Sequence, residues 1–168
     1  MQPQKPSERQ PILLVIDDEP LMTDMLRQSM TRRNFQVFVA SSGREALDIL
    51  NKLFSESLLS SDSLDAPQNN SADDSAPNPV KCVDIVLTDM TMPDMDGVAV
   101  AQELWKRVPE VPVVITTGHD LDPSQIDLPP NVVRIIRKPY PTRTLADQLH
   151  EILKIREEGS QKSKDSAE

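Results

Sequence analysis

One cysteine, four glycines and five aromatic residues are all that this 168-residue chain holds of those types. A lone Cys82 cannot close an internal disulfide and offers no thiolate cluster to a metal. Four scattered glycines leave no Gly-rich loop to cradle a nucleotide's phosphates. So few aromatics exclude a base-stacking platform for single-stranded nucleic acid. Long apolar runs are missing too. The first, Ile12 to Ile16, spans five residues and ends on Asp17, Asp18 and Glu19, too short for a signal-peptide core or a membrane span. Basic residues are the minority, 18 against 27 acidic ones, for a net charge of −9. That balance excludes a sequence-independent nucleic-acid binder. The expectation is a cytoplasmic protein in a reducing setting, with no nucleic-acid or membrane partner.

What is present is a regular alternation. Residues 1–10 hold prolines and no apolar period, and read as a flexible leader. Ile12 to Ile16 reads as a strand buried on both faces. Pro20 suits a first helical position, and Leu21, Met22, Met25, Leu26 and Met30 follow at helical spacing. Phe35 to Val39 is a second strand. Ser42 and Glu45 have the spacing of a capping box that opens a second helix, with Leu47, Ile49, Leu50, Leu53 and Phe54. Residues 55–80 then read as a disordered acidic insertion. Ser55 to Pro79 contain seven Ser, four Asp and one Glu with no Lys or Arg, too little apolar surface to offset ordering. Leu58, Leu59 and Leu64 leave room for an extra helical turn. Val83 to Thr88 is a third strand, and Val98, Ala101, Leu104, Trp105 and Val108 mark a third helix. Val111 to Thr116 is a fourth strand. Asp122 to Gln125 resembles a cap and first turn that Pro129 and Pro130 cut short. Val132 to Ile136 is a fifth strand, Leu145, Leu149, Ile152 and Leu153 a last helix, and 156–168 a polar, frayed tail. Five apolar strands alternating with five helices imply an α/β domain over 11–155, a parallel sheet covered on both faces.

In open α/β sheets ligands bind beyond the carboxyl ends of the strands, and the acidic residues fall there. Asp17 and Asp18 follow strand one, Asp89 follows strand three, Thr116 and Thr117 follow strand four, and Lys138 follows strand five. Two carboxylates at ~5 Å and an effective dielectric of ~20 repel by about 3 kcal/mol. Such a cluster must hold protons or a cation. Oxygen donors without His or Cys suit a hard ion, Mg2+ over Zn2+. A bound Mg2+ would attract a phosphoryl group, a carboxylate could become its nucleophilic acceptor, and Lys138 would pair with the phosphoryl oxygens.

These residues resemble the receiver domain of two-component response regulators. The resemblance runs from about Pro11 to Lys154. It rests on Ile12 to Glu19, on Asp89-Met90-Thr91-Met92-Pro93-Asp94-Met95-Asp96-Gly97, on Pro112 to Gly118, and on Lys138-Pro139. Four motifs in order, each at a strand end, make a specific signal. The resemblance implies a flavodoxin-like (CheY-like) doubly wound five-stranded parallel sheet in the order 2-1-3-4-5. It implies Asp89 as phosphoacceptor, Asp17, Asp18, Asp89 and the backbone carbonyl of Thr91 as ligands of Mg2+ (or Mn2+), Thr117 as the switch hydroxyl and Lys138 as the phosphoryl contact. A cis bond is expected at Pro139. The donor would be a histidine kinase or histidine-phosphotransfer protein, and the output an unknown protein target. The chain is then a phosphoacceptor with slow self-hydrolysis, not a turnover enzyme. With no output domain expected after Lys154, it would act through protein contacts as a stand-alone response regulator.

Three departures qualify that picture: the long 55–80 insertion, Ile135 where the family's switch aromatic is expected, and a shortened fourth helix. The insertion lies away from the expected phosphorylation rim; Ile135 and the shortened fourth helix favour an alternative, a phosphorylation-independent adaptor that keeps the fold. A Mg2+ phosphatase on small molecules lacks a second acidic catalyst, because position 91 is Thr. Asp94, Asp96 and Glu103 imitate part of a calcium loop, but Met92 stands at its first position and Pro93 inside it; Asp94 and Asp96 are expected to shape the turn and cap the next helix. Trp105 is expected at the core edge, and His150 at the surface.

Overall fold

The computed structural model describes residues 9–60, 83–119 and 126–165. The leader before Arg9, the acidic insertion beyond Ser60, Cys82, the capped turn at 122–125 and the last three residues lie outside them. In chain order the elements are β1 (Ile12–Ile16), α1 (Pro20–Thr31), β2 (Gln36–Ala40), α2 (Gly43–Ser60), β3 (Ile85–Asp89), α3 (Gly97–Arg107), β4 (Val113–Thr117), β5 (Val132–Arg137) and α4 (Thr142–Asp165). All neighbouring strands pair in parallel, in the expected order β2-β1-β3-β4-β5. Four helices, rather than five, are seen among the described residues.

The continuous apolar strands are explained by two cores. Along β1, Leu14 and Ile16 face a core with Ala46 and Leu50 of α2 and Val100, Ala101 and Leu104 of α3. Leu13 and Val15 face the other, with Leu26 and Met30 of α1 and Leu145 and Leu149 of α4. Alternate side chains on a strand point to opposite faces, so a strand covered on both sides must be apolar throughout.

Local signals act as expected at most helix starts. Pro20 occupies the first turn of α1. Asp96 caps α3, its Oδ1 accepting from the Ala99 N–H at 2.7 Å. At α2, Ser42 Oγ accepts from the Glu45 N–H at 3.1 Å. Glu45 reaches back one residue further than a capping box requires, to the N–H and hydroxyl of Ser41. Those bonds hold its carboxyl below the usual carboxylate range.

Two helices outrun the sequence reading. α2 continues to Ser60, into the stretch expected to be disordered. No proline or glycine follows Gly43 until Pro67, so nothing in the backbone stops the helix at Ser55. α4 continues to Asp165, through the expected polar tail. That tail lacks proline and is rich in Lys, Glu, Arg and Gln, which extend a helix without needing a core. Trp105 is 40% exposed, on the surface rather than at the core edge. His150 is at the surface, yet it stacks on Phe35 at 4.3 Å and its Nε2 lies 3.0 Å from the Arg33 carbonyl.

β5 carries an irregularity that periodicity does not announce. Val113 pairs with Val132 but Val114 with Arg134, leaving Val133 as an extra, exposed residue. This bulge resets which residues of β5 face inward. Asp84 fixes the other end of the sheet. Its carboxylate accepts from the Ile12 N–H and from Arg9, each at 2.8 Å.

Gly97 links the fold to the site. A Cβ there would lie 2.6 Å from the Asp89 carbonyl oxygen, whereas one at Gly118 would meet nothing within 4 Å. Gly97→Ala is therefore expected to destabilise the protein by about 1–3 kcal/mol, and Gly118→Ala by less than about 0.5 kcal/mol. Urea unfolding of the two variants measures the contrast; equal losses would refute it.

Candidate functional site

Strand register brings the expected residues to one rim. Ile16 pairs with Ala40 on one side and Thr88 on the other. Asp89 pairs with Thr116, and Thr117 with Arg137. The ladder continues past the strand ends, through Asp17 N–H to the Ala40 carbonyl and Lys138 N–H to the Thr117 carbonyl. Asp17, Asp89, Thr117 and Lys138 therefore sit where β1, β3, β4 and β5 finish. The Lys138-Pro139 bond is cis.

At the centre lies a three-membered ion cluster. Lys138 Nζ is 2.8 Å from Asp89 Oδ1 and 3.0 Å from Asp17 Oδ2. The Asp17 side chain is 4% exposed, Asp89 12% and Lys138 19%. Burial pulls the Lys138 pKa down, but hydrogen bonds and attraction from Asp89 and Asp17 outweigh it and hold the ammonium above its ordinary value. The remaining oxygens are also engaged. Asp17 Oδ1 accepts from the Glu19 N–H at 3.0 Å, and Asp89 Oδ2 from the Thr91 N–H at 3.2 Å. These bonds fix both carboxylates at the loop entrances.

Other expected members stand apart. Asp18 is exposed. Thr117 is buried and turned onto its own loop: its hydroxyl donates to the His119 carbonyl and accepts from the His119 N–H. The Asp89 carboxylate is instead approached by the hydroxyl of Thr116, at 3.5 Å from Oδ1. Sequence reasoning placed Thr116 only as the strand residue before the switch; its pairing opposite Asp89 emerges only from the strand register. Ile135, half-buried, packs against the core shared with α2 and α3. Among the described residues no three acidic, His or Cys side chains gather into a metal-holding group. The Lys138 ammonium lies within 3.0 Å of both Asp17 and Asp89. The donor chemistry nevertheless fits a hard cation, since every candidate ligand is an oxygen.

A model of the response regulator receiver domain family matches residues 70–150. The chain carries a response regulator receiver domain. This receiver domain is 28% identical over 114 residues to the transcriptional regulatory protein GlrR of Escherichia coli, covering 68% of the chain. The chain spans only 19% of GlrR's length. A receiver domain protein from Clostridium thermocellum has the same fold, with a TM-score of 0.64 and 25% identity, over 88% of this chain and 97% of that one. TrrA of Thermotoga maritima, solved in complex with Mg2+ and BeF, superposes with a TM-score of 0.58 at 22% identity, over 84% and 97% of the two chains. No helix among the described residues is long and apolar enough to cross a membrane.

The cluster's stability depends on its cation. Lys138→Met leaves a buried and a partly buried carboxylate, Asp17 and Asp89, without their shared cation. It is expected to cost about 2 kcal/mol near neutral pH, less than the loss of a fully buried partner because Lys138 is 19% exposed. Millimolar Mg2+ should restore part of that loss by mass action. In the unmutated receiver the pKa of Lys138 is raised on folding. Its contribution is complete below the ordinary lysine value and is lost only as pH rises through the higher folded value. Urea midpoints of both proteins, with and without Mg2+, across neutral to alkaline pH test this; equal midpoints would show that the pair holds nothing.

Proposed function

We propose that this receiver domain accepts a phosphoryl group on Asp89 in a Mg2+-dependent reaction and passes the signal on through protein contacts of its own surface. The observation that carries the reading is the position of Asp89. Its carboxylate is fixed at a strand end, exposed enough to be reached, with the Lys138 ammonium 2.8 Å away. In this reaction a carboxylate oxygen of Asp89 forms the P–O bond while the P–N bond of a phosphohistidine breaks and the imidazole departs. The donor is a histidine kinase or a histidine-phosphotransfer protein. Lys138 offers a charged donor to the phosphoryl oxygens. Thr91 N–H holds the carboxylate's orientation.

Asp17, Asp18 and Asp89 would hold the Mg2+, or Mn2+, with the Thr91 carbonyl. When bound, the ion neutralises charge on the phosphoryl oxygens. The Mg2+–BeF complex of TrrA, which shares this fold, supports the assignment. Lys138 must then share Asp17 and Asp89 with a second cation. Once phosphorylated, Asp89 no longer presents a full carboxylate charge to Lys138. Thr117 would leave His119 and turn to the phosphoryl oxygens, drawing the loop after β4 with it. A local charge change thus biases a two-state element. The protein is a phosphoacceptor that resets by slow hydrolysis, not a turnover enzyme.

Ile135 favours a second reading, an adaptor that keeps the fold and ignores phosphorylation. Incubation with acetyl phosphate and Mg2+, read by intact mass, separates the two. The expected result is one added phosphoryl group on the native chain and none on Asp89→Asn, with labelling lost when the metal is chelated. Failure of the native chain to gain the group, together with no spectral response to beryllofluoride, would overturn the phosphoacceptor reading in favour of the adaptor.

A further inference from the structure

Behind Asp89, on the face packed by α1 and α4, two hydroxyls remain that the mechanism above does not use. Thr116 is 2% exposed. Its single proton has two acceptors, the Thr88 carbonyl at 3.4 Å and Asp89 Oδ1 at 3.5 Å. Both distances are at the outer limit of a hydrogen bond, so neither acceptor wins by geometry. Tyr140 follows the cis proline, its ring packed against the core beside Leu145 and Leu149. Its hydroxyl is buried without a hydrogen-bond partner. It lies beside Thr116 and feels the charges of Lys138, Asp17 and Asp89, and burial pushes the phenol's pKa up. A buried orphan hydroxyl is costly and demands a reason.

We propose that Tyr140 is a positioning residue for Asp89 that acts through Thr116: its O–H donates to Thr116 Oγ1, and Thr116 in turn donates to Asp89 Oδ1. This rests on the phosphoacceptor reading. A threonine hydroxyl has one proton and two lone pairs. Filling one lone pair from Tyr140 fixes the rotamer and leaves the proton for Asp89. Such a chain of hydroxyls strengthens along its length in a low-dielectric setting. It orients the acceptor carboxylate from behind while Lys138 holds it from the rim. When Asp89 becomes a mixed anhydride its oxygen is a weaker acceptor, and the Thr116 proton returns to the Thr88 carbonyl. Tyr140 then loses its reason to stay engaged, so the pair also registers the charge of Asp89.

The test is a double-mutant cycle on the full chain, with Tyr140→Phe, Thr116→Val and both together. Initial labelling by acetyl phosphate with Mg2+ is followed by intact mass. Tyr140→Phe is expected to slow labelling about two- to tenfold, the worth of one hydrogen bond. It should do nothing further in the Thr116→Val background. The melting temperature should fall by no more than the worth of that one hydrogen bond, so slower labelling cannot be put down to unfolding. Unchanged labelling of Tyr140→Phe, or equal slowing in both backgrounds, overturns the proposal, the latter showing that the ring acts by packing alone. A native chain that takes no label overturns this proposal and the phosphoacceptor reading together. A labelled native chain with an indifferent Tyr140→Phe overturns this one alone.

Discussion

Lys138 sits between two carboxylates that could not otherwise share their position. Asp17 and Asp89 end neighbouring strands, both largely out of water, and both within 3.0 Å of the same ammonium. Without it, their repulsion would oppose the pairing of β1 with β3 at the point where that pairing matters to the site. With it, the charges compensate, and burial of the lysine is offset by its two partners. The same arrangement makes the cluster responsive. Under the proposed function, a phosphoryl group or a cation that changes the count of charges would release the ammonium from one of the two carboxylates.

That arrangement depends on topology more than on proximity in sequence. Lys138 is 121 residues from Asp17. Parallel strands align all their carboxyl ends on one side, so β1, β3, β4 and β5 each deliver a residue to a single rim. The two cores make this positioning rigid. Leu13 and Leu14 are both fully buried, on opposite faces of β1, so a slip of one residue would exchange two packed surfaces rather than a wet and a dry one. Gly97 completes the frame by letting α3 start against the Asp89 backbone. The support of the site is therefore backbone and core, and the rim is free to carry unlike charges.

Most of this was legible in the sequence because the decisive signals are short and local. Five-residue apolar runs fixed the strands, and charged residues at their ends fixed the rim. Helix lengths were less legible. The ends of α2 and α4 were read from composition, yet a helix stops where a backbone breaker stops it, and none occurs at Ser55 or Arg156. The bulge at Val133 leaves no mark in the pattern of β5, since Val132, Val133, Ile135 and Ile136 are all apolar. The pairing of Thr116 with Asp89 is a matter of register, which no single strand encodes. Tyr140 illustrates the same limit: its ring reads as core, and only packing shows that its hydroxyl has been carried in without a partner.

The two threonines at the end of β4 divide the work by strand geometry. Adjacent residues on a strand face opposite ways. Thr116 therefore points toward the α1 and α4 side with Tyr140, while Thr117 closes on the loop through His119. Thr117 has two bonds to give up before it can turn outward, each to a backbone group of its own loop. Net hydrogen bonds of this kind are worth about 1 kcal/mol each, comparable with what a newly charged acceptor can return. The arrangement of Thr117 seen here is thus held by a modest margin, which under the proposed function would suit a reversible signal. A deeper hold would silence the loop, and a weaker one would leave it turned without a phosphoryl group to meet.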